Sequence, residues 1–420
     1  MAAQVTGLNS SKLLAADCPQ LSHCVCGQYA RYIRIYCSTH VNFSLNFGDI
    51  SSDLVKLPGL KIKKLIINRV NETVLPSNFL ANLTITNLVI NDDRLEFIAD
   101  EAFVGVLKLT NLIVLTTQLK SVPHAVSFLG PKLINLEMTN NRIEKVDDVL
   151  NKLINLEILN LENNRIVSLD DNLFANLIQL RELRLGNNMI EHLPTSLSRA
   201  KHLVFMDLHN NNIKDLHVYG NNISDVTTIF TRGINPEIVR IERNPITELP
   251  KRLVWSNMKE FHAQQCHISI VNPGAFQMLS QLRLLDLSEN QISDLNNTVF
   301  SQSSKLATFS AASNLIKNVD NIFNKTRWLQ VINLDSNFIE DITNAFTGLF
   351  LLNRLRLKQN EISFIRDKTF NSNKDLKYLD LSQNEIEWLG TNCFKGLVRL
   401  DHLDLGKNKL LCTERAFQTQ

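Results

Sequence analysis

One eleven-residue pattern, LxxLxLxxNxI, returns about every 23 or 24 residues along most of this 420-residue chain. Its LxL portion alternates apolar and variable positions, which predicts a short strand with its leucines in a core and its other side chains in solvent. One strand per unit then stacks into a parallel sheet, so the pattern predicts an α/β repeat solenoid. The fifteen frames start at Ile62, Ile85, Leu109, Leu133, Leu156, Leu180, Leu203, Pro236, Met258, Leu282, Leu306, Leu329, Leu352, Leu376 and Leu400.

The Asn of the pattern lies in the turn after each strand, where its amide can bond to buried backbone groups of adjacent coils. Eleven frames have Asn at this position, and the exceptions are Val70, Asp93, Thr117 and Cys266. All of the exceptions except Val70 keep some hydrogen-bonding capacity. We therefore interpret Cys266 as a structural residue of this ladder and not as a catalytic thiol.

Phenylalanine also follows the repeat. Nine of the 21 phenylalanines fall seventeen or eighteen residues after a frame start. Recurrence at one phase of a repeat is what core packing predicts, so we expect a column of stacked rings beneath the convex side and no cofactor pocket. The nine are Phe79, Phe103, Phe174, Phe276, Phe300, Phe323, Phe346, Phe370 and Phe394.

Four cysteines, Cys18, Cys24, Cys26 and Cys37, precede the first frame in a C-x5-C-x-C-x10-C arrangement. The first coil of a solenoid exposes an apolar end that must be covered, and a small covering segment needs covalent staples. A disulfide-linked cap is therefore one interpretation of these residues. A zinc site is the other, although the usual C-x2-4-C pairs are absent.

The repeat and the cysteine segment together resemble extracellular leucine-rich-repeat proteins with an N-terminal cysteine cap. Within that group the chain is similar to arthropod-type members, such as Toll ectodomains, chaoptin-like adhesion proteins and the non-catalytic subunit of shrimp luciferase. The resemblance implies a leucine-rich-repeat horseshoe with a parallel β-sheet on its concave face and about 15 repeats. It also implies that Cys18 pairs with Cys26 and that Cys24 pairs with Cys37.

The repeat predicts a single solenoid without an internal domain boundary. The expected segments are an N-terminal tail over 1–17, the cysteine cap over 18–58, repeats over 59–412, and a C-terminal tail over 413–420 that lacks a complete cap. The step from Leu203 to Pro236 is 33 residues, so an irregular insertion is expected near 213–235. We expect either a shortened coil or a protruding loop from His217 to Asp225, a position at which solenoid insertions often bind partners.

The expected compartment is extracellular or cell-surface, because the capping cysteines are accompanied by seven N-glycosylation sequons. These are Asn9, Asn42, Asn71, Asn82, Asn222, Asn296 and Asn324. No sequon inside the repeats occupies a strand. No apolar segment typical of a signal peptide is visible in residues 1–17, which predicts an incomplete N-terminus; the alternative is a cytosolic protein with reduced thiols.

Two groups of strand positions are candidate partner-binding sites. Ile66, Val89, Ile113 and Leu115 form an apolar patch on the first three strands, unless the cap folds over them. Arg354, Arg356 and Lys358 form a basic row that could seat an acidic or sulfated group. Alternatively, the bordering Asp335 and Asp380 pair with this row as part of a solvated surface.

Charge and motifs restrict the function further. The chain has 44 Lys and Arg against 42 Asp and Glu, so its net charge of +2 disfavours nucleic-acid binding. No stretch approaches the ~20 apolar residues that span a bilayer. The usual phosphate-loop, metalloprotease, dinucleotide and serine-hydrolase motifs are absent, so we expect no catalytic, cofactor or metal site.

The sequence therefore predicts a non-enzymatic extracellular protein that binds a protein or glycan through its concave face, in recognition, adhesion or innate immunity. Two alternatives remain open: an accessory, non-catalytic subunit that stabilises a partner enzyme, and a cytosolic interaction scaffold.

Overall fold

The computed structural model describes residues 21–29, 32–38, 45–57, 60–226 and 234–410. The chain consists of two structural units, with the boundary between Asn211 and Asn212. Of the predicted site residues, Asn9, Cys18 and Asn42 lie outside the described residues.

The first unit consists mainly of short strands, with one α-helix, α1 (Phe47–Leu54), and three 3₁₀ helices (His124–Lys132, Asp148–Lys152 and Thr195–Arg199). Its strands are β1 (Cys24–Tyr29), β2 (Tyr32–Ser38), β3 (Lys61–Asn68), β4 (Val74–Leu75), β5 (Thr84–Asn91), β6 (Phe97–Ile98), β7 (Asn111–Leu115), β8 (Asn135–Glu137), β9 (Ile158–Asn160), β10 (Glu182–Arg184) and β11 (Phe205–Asp207).

The second unit continues the same pattern of short strands. They are β12 (Asp215–His217), β13 (Ile238–Arg240), β14 (Glu248–Leu249), β15 (Glu260–His262), β16 (Ile270–Val271), β17 (Leu284–Asp286), β18 (Thr308–Ser310), β19 (Val331–Asn333), β20 (Arg354–Arg356), β21 (Phe364–Ile365), β22 (Tyr378–Asp380), β23 (Trp388–Leu389) and β24 (His402–Asp404).

Each unit is built on one nine-stranded sheet. The first has the order β1-β2-β3-β5-β7-β8-β9-β10-β11 and the second the order β12-β13-β15-β17-β18-β19-β20-β22-β24. All pairings are parallel except that of β1 with β2. Two-residue parallel pairs, β4 with β6, β14 with β16 and β21 with β23, lie on a second side of the coils. Every predicted frame has its strand, so the leucine-rich-repeat solenoid is confirmed.

The Asn ladder joins each coil to the one before it. Asn188 shows the pattern: its Nδ2 donates to the carbonyls of Leu161 and Leu185, both at 3.0 Å, and its Oδ1 accepts the N–H of Ile166 at 3.0 Å. The amide therefore satisfies one backbone group of its own coil and two of the preceding coil. Asn164, Asn211, Asn290, Asn314, Asn337, Asn360 and Asn384 repeat these contacts.

Two exceptions to the ladder behave differently from each other. Cys266 is buried, and its Sγ donates weakly to the carbonyl of Ile241 at 3.5 Å, as expected of a ladder residue. At the Asp93 position, the neighbouring Asp92 is the buried residue. Oδ2 of Asp92 accepts the N–H of Val70 at 2.6 Å, and Oδ1 accepts the N–H of Arg94 at 3.0 Å. The turn after β5 therefore places its acceptor one residue earlier than the pattern does.

The predicted phenylalanine column is confirmed. All nine rings are buried. Phe276 and Phe300 stack at 5.9 Å between centroids, Phe300 and Phe323 at 6.1 Å, and Phe323 and Phe346 at 6.3 Å. These rings fill the side of the coil opposite the sheet, so they are core residues and not part of a ligand site.

The described part of the cap continues the sheet at the side of its first strand. β2 pairs alongside β3, and a disulfide joins Cys24 to Cys37, residues that face each other across the β1–β2 hairpin. Because two of the four cap sulfurs form this bond, a four-cysteine zinc site is excluded. The pairing of Cys26 with Cys18 remains a prediction, since Cys18 lies outside the described residues.

A buried carboxylate fastens the cap to its helix. Asp53, at the end of α1, accepts the backbone N–H groups of Ser22, His23 and Cys24 at 2.8, 2.6 and 3.0 Å. Lys56 Nζ also donates to Asp53, at 3.0 Å. Burial by itself raises the pKa of Asp53, but these donors outweigh it and leave the pKa below the ordinary value of 3.8.

The segment expected as an insertion is partly regular. Ile213, Leu216, Val218, Asn221 and Ile223 are all buried, and β12 pairs in register with β13. The protruding-loop interpretation is therefore wrong for His217, which lies in a strand. The 33-residue step consists of a repeat cut to ten residues, followed by a further repeat that begins at Ile213. Residues 227–233 of that repeat lie outside the described part of the chain.

The ladder predicts unequal costs for two substitutions. Asn337→Ala leaves the buried N–H of Ile316 without a partner and removes one of the two amide donors to each of the carbonyls of Ala311 and Leu334. It should lower the free energy of unfolding by about 2 kcal/mol. Cys266→Ala removes only weak sulfur contacts and some packing, so about 1 kcal/mol is expected. Urea unfolding followed by circular dichroism measures both. Equal losses would contradict the assignment of the ladder amide as the stronger tie.

The cap predicts a pH-dependent cost for Asp53→Asn. Because the folded pKa is depressed, the ionised Asp53 stabilises the fold above pH 3.8 and loses this contribution as the pH falls through the folded value. The substitution should cost about 2 kcal/mol at pH 7. The difference in thermal midpoint between the variant and the unmodified protein should shrink toward pH 3. Asp171→Asn, at an exposed carboxylate of the same unit, is the control.

Candidate interaction surfaces

Side chains two, four and six residues after each frame start form the solvent face of each sheet. On the first sheet an in-register row crosses four strands: Tyr36, Ile66, Val89 and Ile113. The next residue in this row is Glu137. The cap thus contributes Tyr36, 43% exposed, to the predicted apolar patch.

The predicted patch is less exposed than the sequence suggested. Val89 is buried, at 8% exposure, because its neighbours in the row pack against both of its sides. Ile66, Ile113 and Leu115 are half-buried. Strand β2 of the cap lies beside this patch and does not cover it. The patch is a packed apolar row with Tyr36 as its accessible end.

Amides flank the apolar row. Asn87, Asn111 and Asn135 face one another in register on three strands. On the other side, Asn68 Nδ2 donates to the hydroxyl of Tyr36 at 3.0 Å. This part of the face offers hydrogen-bond donors and acceptors around an aromatic ring and carries few charges.

A polar cluster ends the first sheet. His209 Nδ1 lies 2.7 Å from Asp207 Oδ1, and its Nε2 lies 2.9 Å from Asn187 Nδ2 and 3.7 Å from Glu162 Oε1. The ring fits because Gly186 has no side chain; a Cβ there would lie 2.3 Å from the imidazole. The spacing of the repeat does not reveal this cluster, because its members come from different coils. A histidine paired with a carboxylate resembles part of a hydrolytic site, but its third neighbour is an amide and not a nucleophile.

The basic row on β20 does not form one cationic site. Arg356 pairs with Asp335, with Nε and Nη2 at 2.6 and 2.5 Å from Oδ2. Burial alone lowers the pKa of the Arg356 guanidinium, but Asp335 outweighs this and raises the pKa overall. Asp335 Oδ1 also accepts the backbone N–H of Lys358 at 2.8 Å. For Arg356, therefore, the structure shows the pairing with a neighbouring acid.

Arg354 belongs to a different arrangement, which we call the stacked row: Arg354, Tyr378 and His402. The Arg354 guanidinium carbon lies 4.5 Å from the centroid of the Tyr378 ring. The Tyr378 and His402 rings stack at 4.4 Å with an interplanar angle of 8°. The three residues occupy the same register position on β20, β22 and β24. Arg354 and His402 are exposed and Tyr378 is half-buried.

A buried polar cluster lies at the start of the second sheet. His217, Arg240 and His262 are in register on three adjacent strands. His217 Nε2 and Glu242 Oε2 are buried without hydrogen-bond partners in the described structure. Burial lowers the pKa of His217, the nearby Arg240 adds to this effect, and Asp215 and Glu242 oppose it.

The free thiols of the described chain are unsuited to nucleophilic catalysis. Burial raises the pKa of Cys266 to about 11 and that of Cys393 to about 12. Both thiols therefore stay protonated at neutral pH. The described residues contain no group of three or more His, Cys, Asp or Glu arranged to hold a metal ion. None of the described helices is long and apolar enough to cross a membrane.

The sequons that fall in the described chain lie away from both sheet faces. Asn71, Asn82, Asn222, Asn296 and Asn324 are all exposed and lie in turns or loops outside the strands. A glycan on any of them would leave the strand positions uncovered. Their modification remains a prediction.

Comparison with known proteins agrees with the repeat architecture. A sequence model for the leucine rich repeat matches residues 154–213, 256–316 and 350–410. The chain is a leucine-rich-repeat protein. Among curated relatives, mouse podocan is 29% identical over 207 residues, which are 44% of this chain and 33% of podocan. Bovine decorin is 34% identical over 158 residues, 37% of this chain and 42% of decorin. The chain thus spans about a third to two fifths of these relatives.

Two solved structures align with most of this chain at low identity. A leucine-rich-repeat protein of Leptospira interrogans is 22% identical with a TM-score of 0.41, over 88% of this chain and 90% of that one. Drosophila Toll, in its complex with Spatzle, is 17% identical with a TM-score of 0.42, over 90% of this chain and 58% of that one.

The buried cluster predicts a stability change with pH. Because the folded pKa of His217 lies below 6.5, the unfolded chain takes up a proton more readily, and stability falls as the pH drops below 6.5. His217→Gln should reduce this dependence, and His267→Gln, at an exposed histidine of the same unit, should not. Thermal midpoints between pH 7.5 and 5 measure the effect. Parallel curves for the His217 variant and the unmodified protein would contradict the assignment.

Proposed function

We propose that this leucine-rich-repeat protein acts outside the cell as a non-enzymatic binding protein. The Cys24–Cys37 disulfide supports this compartment, because such bonds persist in oxidising environments. The exposed sequons are compatible with glycosylation there. A repeated parallel sheet suits a large partner, since its solvent face is a continuous array of side chains.

We further propose that a protein partner docks on the sheet face of the second unit, at the stacked row. This arrangement is the observation that carries the proposal. Arg and Tyr are enriched among residues that dominate binding energy, because they combine apolar contact with hydrogen bonding. Stacking of Arg354 on Tyr378, and of Tyr378 on His402, orders these side chains before a partner arrives. Less side-chain entropy is then lost on binding.

The charges beside the stacked row define the partner's chemistry. Arg354 is exposed and has no salt bridge among the described residues, whereas Arg356 is held by Asp335. A carboxylate on the partner can therefore pair with Arg354. Asp404, in register with Asp380, provides an acidic group near His402. A complementary surface would place an acid over Arg354 and an apolar or aromatic group on Tyr378.

A glycan is the second candidate ligand, at the first sheet. Tyr36 and the amides Asn68, Asn87 and Asn111 support it, because sugars present hydroxyl groups to amides and an apolar face to aromatic rings. The partial exposure of Tyr36 is the specific observation in its favour.

Site-specific photo-crosslinking tests the protein-binding proposal. We would secrete the full chain from cultured animal cells with a benzophenone amino acid in place of Tyr378, and use Phe350, an exposed aromatic of the same unit outside the sheet strands, as the matched site. Incubation with extracellular extract of the source tissue should give a discrete protein adduct only at position 378. Arg354→Glu should reduce this adduct about tenfold, because it replaces the attraction between Arg354 and a carboxylate of the bound partner with repulsion.

Two outcomes would contradict the proposal. One is the same adducts from positions 350 and 378, which indicates non-specific contact. The other is an adduct at position 378 that survives Arg354→Glu unchanged, which would remove the stacked row from the interface.

A further inference from the structure

The first unit contains a large groove outside its nine-stranded sheet. Its volume is about 1030 Å³, and its lining comes from the segments 96–100, 118–124, 142–151 and 170–172. These segments belong to four successive coils, so the groove measures roughly 14 Å in the direction in which the coils stack, at ~4.8 Å per coil.

The floor of the groove is apolar. Ile98, Leu119, Val122, Val146 and Val149 line it, and each keeps between 2% and 7% of its surface exposed. These side chains are core residues of their coils that remain accessible along one edge. Phe97 stands beside them with 63% of its surface exposed, the largest exposure of any phenylalanine in the described chain.

The rim of the groove is acidic. Its carboxylates are Glu96, Asp100, Asp147, Asp148 and Asp170, and its permanent cations are Lys120 and Arg142. In the described structure none of these seven side chains forms a salt bridge. Asp147 immediately precedes a 3₁₀ helix, yet its side chain makes no capping hydrogen bond. Asp170 Oδ1 accepts the N–H of Asn172 at 2.8 Å. Five carboxylates against two cations still leave the rim with a net negative charge.

Hydrogen-bonding groups of the groove also lack partners. Asn151 Oδ1 is a buried acceptor without a donor among the described residues. The two-residue strand β6 pairs only with β4, and the next pairing on this side is a single bridge between Ser121 and Lys145. The backbone edge at Phe97 and Ile98 is thus open toward the groove, and such an edge can pair with an added strand.

Together these features select one kind of occupant. Carboxylates around an apolar floor match alternating basic and apolar side chains, and the open edge matches an extended backbone. A bound metal ion is a poorer match, because the described residues do not gather three ligands in one place. We propose that the groove of residues 96–172 binds an extended basic segment of a partner protein, with its apolar side chains on the Val122 and Val146 floor.

The occupant enters by adding to the edge of β6. Its backbone N–H and C=O groups pair with the free edge, and one of its donors reaches Asn151 Oδ1. Lysine or arginine side chains alternate with the apolar ones and lie against Glu96, Asp147 and Asp148. The groove and the stacked row share no residue, so this site is independent of the function proposed above.

Fluorescence anisotropy with a defined peptide tests the inference. The probe is fluorescein-labelled Lys-Leu-Lys-Val-Lys-Leu-Lys, and the control peptide has Glu in place of every Lys. The protein is the full chain secreted from cultured animal cells. The basic peptide should bind saturably, and the acidic peptide should not. Binding should weaken with added salt, because the charged contacts are solvent-accessible.

Charge variants separate the groove from the rest of the surface. Glu96→Gln with Asp147→Asn should weaken peptide binding about tenfold. Glu340→Gln with Glu361→Gln removes the same charge from exposed acids of the second unit and should leave affinity unchanged. Phe97→Ser should weaken binding at high salt as well, because it removes an apolar contact. Circular dichroism of each variant checks that the fold is intact.

Several outcomes would overturn the inference. Equal affinity for the groove and control variants would show attraction to net charge alone. Absence of saturable binding by the unmodified protein would remove the peptide as occupant. Calcium chloride binding by calorimetry that is lost in the groove variant, without peptide binding, would assign a cation site instead. Concentration-dependent self-association lost in the same variant, again without peptide binding, would assign the groove to a second copy of the chain.

Discussion

Most coils depend on a hydrogen-bonded amide that belongs to the next one. The amide of Asn188 bonds to carbonyls of two successive coils and to a backbone N–H of the earlier coil. A turn with buried polar groups would otherwise be strongly unfavourable, so this contact is what allows short strands to follow one another without long helices. It also explains where the sequence is free to vary. Ladder and leucine positions are constrained by the core, whereas the strand positions between them contact only solvent and their in-register neighbours.

The sequence predicts the features that recur in the repeats, because residues at the same position of successive coils contact one another. The strands, the amide ladder and the Phe276 to Phe346 stack follow from spacing alone. Spacing does not predict the contacts between side chains at different positions of the repeat. Val89 is buried by Ile66 and Ile113, and Asp92 replaces Asp93 because one turn is shaped differently. The contact of His209 with Asp207 needs the space above Gly186, which only the folded neighbours reveal.

The segment after Leu203 shows that a repeat needs a minimum number of residues to complete a coil. A full coil takes about 23 residues to return to the same phase, and only ten separate the frames at Leu203 and Ile213. Ten residues hold a strand and its turn but not the outer return of the coil. Accordingly β11 is the last strand of the first sheet and β12 is the first strand of the second. The sequence leaves a shortened coil and a looped segment open, because the two have the same spacing. The pairing of β12 with β13 decides between them.

Both proposed sites lie where side chains or backbone groups are not taken up by the regular contacts of the core and the amide ladder. On the second sheet the ladder and core are satisfied, so Arg354, Tyr378 and His402 stack on one another in solvent and remain available to a partner. In the first unit the outer pairing lapses between Ile98 and Ser121, which exposes core edges and an open backbone together. The two sites differ in chemistry as a result. The sheet face offers ordered side chains and selects a partner by shape and charge at its surface, whereas the groove offers backbone as well and therefore selects an extended segment.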